Sequence, residues 1–178
     1  MTTARHSNNN IHDHGAKVLA VSDHAGAIAD QDGIDAFDLT DWVQENGSVK
    51  GYPNADWIEP SDLWSTDVDI LIPAALENQI TADNANDIKA KVVVEAANGP
   101  TTLEAEEILS EKSVDVLPDI LVNAGGVIVS YFEWLQNRSA QRWDLDDVDH
   151  RLPVDLVPRR ILAANCNRAA PGGAKPQG

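Results

Sequence analysis

The chain has 178 residues, 43% of them hydrophobic, which suits one domain with a real core and excludes a disordered composition. Its 29 acidic residues outnumber 13 basic ones for a formal charge of −16, a balance that repels phosphodiester backbones and argues against nucleic acid as a partner. No apolar run reaches membrane-spanning length, the first residues lack a signal-peptide pattern, and the single cysteine, Cys166, rules out an internal disulfide; the expectation is a cytoplasmic protein with no membrane partner.

Residues 1–14 are polar and aperiodic, and read as a disordered or aberrant segment. The histidines there, His6, His12 and His14, have no cysteines and no structured spacing around them, so no metal site is expected. Lys17 to Ser22 reads as a short buried strand ending in Asp23, with His24 a turn residue beside it. Gly26 and Gly33 then flank a segment that reads as turn. Leu39 to Glu45 suits a short helix that Gly47 stops, and residues 46–66 read as polar and irregular.

A second strand is predicted at Val68 to Ile72, closed by Pro73 and followed by Ala74-Ala75. Asn78 to Ala90 reads as a helix. A third strand, Val92 to Ala96, leads into Ala97-Asn98-Gly99-Pro100, after which Thr101 or Thr102 can cap a helix whose Glu104 to Glu107 complement its dipole. A fourth strand, Val114 to Leu117, ends at Pro118-Asp119. The run Asn123-Ala-Gly-Gly-Val-Ile-Val-Ser-Tyr-Phe-Glu-Trp-Leu-Gln-Asn137 follows. Its double glycine reads as a tight turn allowing close approach to a ligand, with Ser130 in the first turn of the next helix. Val127, Ile128, Tyr131, Phe132, Trp134 and Leu135 form a broad apolar stripe on that helix. Residues 151–178 gain Pro, Gly, Ala and Arg and lose nearly all acids, and read as an aberrant, disordered tail.

Short apolar strands alternating with helices indicate an α/β fold with a doubly wound, parallel, Rossmann-like sheet over residues 15–150. In such sheets ligands bind beyond the carboxyl ends of the strands. Asp23, Ala74, Ala75, Asn98, Gly99 and Asn123 all fall at such ends, which points to a nucleotide cofactor. A strand-ending Asp23 can accept both ribose hydroxyls of adenosine and would repel a 2′-phosphate, favouring NAD, with NADP still open. The amides of Asn98 and Asn123 offer donor and acceptor together, as a nicotinamide ribose or carboxamide requires. Lys17 sits too far back in its strand for a phosphate partner. The acids, 27 against 7 bases in residues 16–150, are spread over every predicted surface, a pattern that favours salt adaptation over an acidic docking face.

The Asn123–Asn137 run, with Ala-Asn-Gly-Pro-Thr at 97–101, resembles the glutamate dehydrogenase family over roughly residues 15–150, and the resemblance stops at Pro153. The Asn-Ala-Gly-Gly segment is shared with leucine, phenylalanine and valine dehydrogenases, whereas Ser-Tyr-Phe-Glu-Trp is similar to the glutamate enzymes. The resemblance implies reversible oxidative deamination of L-glutamate to 2-oxoglutarate with NAD(P). It also implies that Val127 and Ser130 touch the substrate and that full-length members are homo-oligomers. It further implies that a first strand, a Gly-x-Gly-x-x-Gly turn and a substrate domain with the proton-transferring residues lie elsewhere, so the chain reads as a partial cofactor domain, inactive alone and with no catalytic residue of its own. Without that strand, weak stability or a rearranged sheet is expected. The alternatives are a non-catalytic nucleotide-binding or interaction module, or a related amino-acid dehydrogenase.

Overall fold

A computed structural model describes residues 15–156. The chain divides into two compact units, one ending at Val122 and the other beginning at Asn123. The first unit holds two sheets. Strands β1 (Val18–Asp23), β2 (Gly26–Ile34) and β3 (Asp56–Ile58) form one, antiparallel throughout. Strands β4 (Ile70–Leu71), β5 (Val92–Val94) and β6 (Asp115–Leu117) form the other, parallel throughout and in that spatial order. A single doubly wound sheet is therefore corrected to two. The predicted strand at Lys17 to Ser22 exists, but β2 folds back on it and takes its hydrogen bonds.

The segment expected to be turn is β2. Asp23 and Gly26 pair across a two-residue loop, and Ala27 and Ile28 are buried behind it. Gly26 has φ +150°, and a Cβ there would lie 2.1 Å from the Trp57 ring, so this corner requires glycine. A bulge interrupts the pairing between Val18 and Ala20, where Asp30 turns the chain by accepting the Asp32 N–H. The segment predicted irregular at 46–66 contains β3, which completes this sheet, and a short 3-10 turn, Pro60–Leu63.

Helix α1 (Ala36–Asn46) starts earlier than its apolar pattern suggests because Asp35 caps it, its carboxylate accepting from the N–H groups of Phe37 and Asp38. Gly47, at φ +82°, closes it as expected, donating to the Val43 carbonyl. This helix and its sheet share a core of Ile28, Ile34, Leu39, Val49 and Tyr52.

Residues Asn78 to Ala90 are not a helix. Thr81 and Asn84 divert the backbone: Asn84 Oδ1 accepts the Thr81 N–H, and Asn84 Nδ2 donates to the Gln79 carbonyl. Short polar side chains compete in this way with the helical ladder. Carbonyls of Ala85, Asn86 and Ile88, which a helix would have paired internally, instead accept from the Lys112 ammonium. The same turns still bury Ile80, Ala85, Ile88 and Ala90 against Val93, Ala105 and Leu109, the second core of this unit. β5 is its middle strand because three β-branched valines suit a strand covered on both faces. Helix α2 (Leu103–Glu111) crosses back from β5 to β6, capped by Thr102 as predicted, with Glu104 and Glu106 in its first turn.

Helix α3 (Asp119–Val122) ends the first unit. In the second, α4 (Ala124–Ser139) and α5 (Leu145–Leu156) form a helical hairpin. Phe132 is buried and meets Trp143 edge-on at 5.6 Å, while the Trp143 N–H donates to Gln136 Oε1. The helix α5 extends beyond residue 151, where the tail was expected to begin. The expectations for residues 1–14, with their histidines, and for residues 157–178, with Cys166, lie outside the described residues.

Tyr52 offers a measurable handle on the first core. Burial, then the hydrogen bond its hydroxyl donates to Asp38 at 2.7 Å, push its phenol from 10.0 up to about 12. A raised pKa means the fold favours the protonated phenol, so this stabilisation is complete below pH 10 and is lost as pH rises through about 12. Alkaline unfolding curves should show that loss, and Tyr52→Phe should abolish it; identical pH dependence in the two proteins would contradict the packing described.

Candidate functional site

The parallel strands all end at one edge, and the segments that leave them are tied to each other. After β4, the Pro73 carbonyl accepts from both the Ala96 and Ala97 N–H groups, at 3.1 and 2.9 Å, just after β5. This sets Ala74-Ala75 alongside the approach to Asn98-Gly99. The Asn78 N–H donates to the Gly99 carbonyl at 2.9 Å, and Ile80 and Thr101 form a parallel bridge just beyond. On the β6 side, the Glu95 N–H donates to the Leu117 carbonyl at 3.1 Å. The structure therefore ties the loop that carries Ala74 and Ala75 to the loop that carries Asn98 and Gly99. Asn98 and Gly99 are exposed, and Gly99 has φ +51° with open space where a Cβ would stand. A small, left-handed residue facing open space lets a planar group approach the backbone.

Two acids that sequence reasoning left out of the site also lie at this edge. Glu95 is buried at 4% exposure, directly after β5. Its Oε2 accepts the Asp119 N–H at 3.0 Å, and Asp119 Oδ2 in turn accepts the Gly99 N–H at 2.8 Å. The signal was present: Glu95 is the one acid in the apolar run Val92 to Ala97, and a buried carboxylate needs fixed donors.

Asp23 belongs to the antiparallel sheet. Its Oδ1 accepts the Ala25 N–H at 2.8 Å and its Oδ2 accepts the Val49 N–H at 2.9 Å, so it clamps its own turn to the segment after α1. His24 lies 3.9 Å away and is exposed, a turn residue as predicted. The Asp23 side chain keeps 17% exposure, and each oxygen retains a second lone pair.

The remaining predicted residues are in the second unit. Asn123 stands at the start of α4 with helical φ and ψ, and the double glycine that follows lies inside the helix. No tight turn forms there; α3 ends one residue before Asn123, which leaves no length for a loop. At Gly126 open space surrounds the position of a Cβ, so the helix itself sets no steric demand for glycine there. Ser130 falls in the second helical turn rather than the first, its hydroxyl donating to the Gly126 carbonyl at 3.0 Å. The apolar stripe of this helix is largely exposed: Val127, Tyr131 and Trp134 face outward, and Phe132 is its buried member.

A cavity of about 610 Å³ opens at the opposite, amino end of the parallel strands, lined by Ser65, Asn86, Lys89, Lys91 and Lys112 among others. Two of its three cations are already employed. Lys112 holds the three carbonyls described above, and Lys91 pairs with Asp69 at 2.6 Å, a contact that raises its pKa. The carboxyl edge, with its convergent polar groups, is the better candidate. Among the described residues no group of three potential ligands is placed to hold a metal, and no helix is long and apolar enough to cross a membrane.

A parallel edge that ends in an amide-glycine turn suits a nucleotide-binding sheet, and comparison with known proteins gives the family. The family model for Glutamate/Leucine/Phenylalanine/Valine dehydrogenase matches residues 3–171, and the chain belongs to this family. That match reaches into both end segments. The chain is 54% identical over 138 residues to the glutamate dehydrogenase of Thermotoga maritima, covering 78% of this chain and 33% of the relative. It is 52% identical over 148 residues to the NADP-specific glutamate dehydrogenase A1 of Halobacterium salinarum, covering 83% of this chain and 36% of the relative. The chain thus spans about a third of these relatives. The hetero-hexameric glutamate dehydrogenase of Thermus thermophilus, in its Leu-bound form, superposes with a TM-score of 0.79 at 30% identity, covering 91% of this chain and 38% of that one.

The Asp23 clamp generates a prediction independent of any ligand. Asp23→Ala should lower unfolding stability by roughly 1–3 kcal/mol, because two backbone donors lose a charged acceptor, while Asp23→Asn should recover part of that. Urea unfolding followed by tryptophan fluorescence measures it; an unchanged midpoint in Asp23→Ala would remove the clamp.

Proposed function

We propose that this chain forms the cofactor-binding part of a glutamate dehydrogenase and takes NAD(P) along the carboxyl edge of β4, β5 and β6. The parent reaction joins L-glutamate, oxidised cofactor and water to give 2-oxoglutarate, ammonium, reduced cofactor and a proton. The observation that carries this reading is the tied pair of loops, Ala74-Ala75 and Asn98-Gly99, at the end of a parallel sheet whose chain belongs to the family.

The bound nicotinamide supplies the hydride acceptor. The chain's own residues bind and orient it. Ala74 and Ala75 are small enough to leave the edge accessible, and Gly99 admits a flat group to the backbone. The amides of Asn98 and Asn123 offer donor and acceptor to the nicotinamide ribose and carboxamide. Asp23, through its remaining lone pairs, takes the adenosine ribose and disfavours a 2′-phosphate, so NAD is the preferred form, although one relative is NADP-specific. Val127 and Ser130 provide an apolar and a hydroxyl contact to the amino acid. The whole enzyme would assemble as a homo-oligomer through segments beyond these. The acidic surface and the likeness to a Halobacterium protein support a salt-adapted, cytoplasmic setting.

The second reading, a nucleotide-binding module without catalysis, differs in what the chain does alone. Titration of NAD against tryptophan fluorescence should show saturable binding, while glutamate should produce no NADH with this polypeptide alone. Absence of NAD binding would refute the cofactor site, and glutamate-dependent NADH formation would refute the assignment of the proton-transferring groups to another domain.

A further inference from the structure

Glu95, Asp119 and Gly99 form a chain of hydrogen bonds that links β5, the loop beyond it and the start of α3. Glu95 Oε2 accepts the Asp119 N–H at 3.0 Å; Asp119 Oδ2 accepts the Gly99 N–H at 2.8 Å; Asp119 Oδ1 accepts the Ile120 N–H at 2.5 Å. Three features make this more than local turn bonding. Glu95 is the buried polar side chain of the described core, and a buried carboxylate is costly unless its partners repay desolvation. The bonds span 24 and 20 residues, so they join separate loops. They also hold the peptide between Asn98 and Gly99, next to the left-handed φ of +51° at Gly99. Charged acceptors on backbone N–H groups are short and strong, which suits a turn that must not drift.

From this geometry we infer that Glu95 and Asp119 are positioning residues that lock the Asn98–Gly99 turn for the nicotinamide half of the cofactor. The inference rests on the cofactor reading above and deepens it. Neither acid touches the ligand. Glu95 orients Asp119 by holding its N–H, and Asp119 orients Gly99, with the Asn78 N–H holding the Gly99 carbonyl from the other side at 2.9 Å. The peptide following Gly99 is thus gripped at its carbonyl and the peptide preceding it at its N–H. The Asn98 side chain between Ala97 and this gripped unit then has a fixed backbone origin. A positioning role of this kind acts on one end of a dinucleotide, because the adenosine half is assigned to the Asp23 loop of the other sheet.

The test uses the full chain and two probes, NAD and AMP. Asp119→Ala should weaken NAD roughly tenfold, the effect of about 1.4 kcal/mol, and leave AMP within about twofold. Asp119→Asn should restore much of the NAD affinity, since its amide oxygen can still accept the Gly99 N–H, and Glu95→Gln should behave likewise for the Asp119 N–H. General loss of structure would weaken both probes equally and would overturn the positioning role, as would NAD affinity unchanged in Asp119→Ala. Hydrogen exchange at the Gly99 amide in the unliganded chain separates the two levels of the claim. Exchange should accelerate about tenfold in Asp119→Ala, and unaltered exchange overturns the relay itself. A wild-type chain that binds neither probe overturns the cofactor reading and the positioning role with it, even if the Gly99 amide behaves as described.

Discussion

The constraint on which the candidate site depends is the pairing of β5 with strands on both sides. Val93 is fully buried, and the two ladders fix where the chain leaves each strand. Beyond the last pair, the polar backbone still needs partners, and at this edge it finds them in the neighbouring loops rather than in water. The Pro73 carbonyl and the Glu95 and Asp119 carboxylates are among the acceptors that continue the sheet's order past its strands. Ala74-Ala75 and Asn98-Gly99 are held in place by this continuation. The loops at this edge are thus preorganised by the ladders that precede them.

The antiparallel sheet follows a different logic. Among the described residues β1 has no parallel neighbour and pairs with the segment that immediately follows it, a local solution at low entropic cost. Asp23, expected to face a ribose, is then recruited to hold the corner and the segment after α1 together. One side chain can serve both purposes, since a carboxylate accepts up to four hydrogen bonds.

Much of the parallel sheet was legible in the sequence, because runs such as Val92-Val93-Val94 carry their burial in their composition. The cap at Thr102 and the stop at Gly47 were legible for the same reason: each is chemistry local to a few residues. The misreadings share a cause. β2 looked like turn because its glycines mark a hairpin corner and a bulge, and only pairing with β1 and β3 shows them to be strand. Asn78 to Ala90 looked helical because its apolar spacing fits, but the Thr81–Asn84 exchange and the distant Lys112 ammonium satisfy its backbone better. The glycines at 125 and 126 read as a turn from their type, but both lie inside helix α4 (Ala124–Ser139). The apolar stripe of α4 was legible from its helical spacing, but its burial was not: Phe132 packs on Trp143, whereas Val127, Tyr131 and Trp134 are exposed. Of the site, the loop residues were legible and the carboxylates behind them were not, since the role of Glu95 depends on a residue 24 positions away.

The central claim is that NAD(P) binds at the carboxyl edge of the parallel sheet. Mapping backbone amide shifts of the isotope-labelled chain as NAD is added tests it most directly. Binding at the carboxyl edge should concentrate the shifts at Ala74, Ala75, Asn98 and Gly99 and leave Lys89 and Lys91 at the opposite edge unmoved. Shifts centred on the lysine-lined cavity, with Asn98 and Gly99 silent, would contradict it.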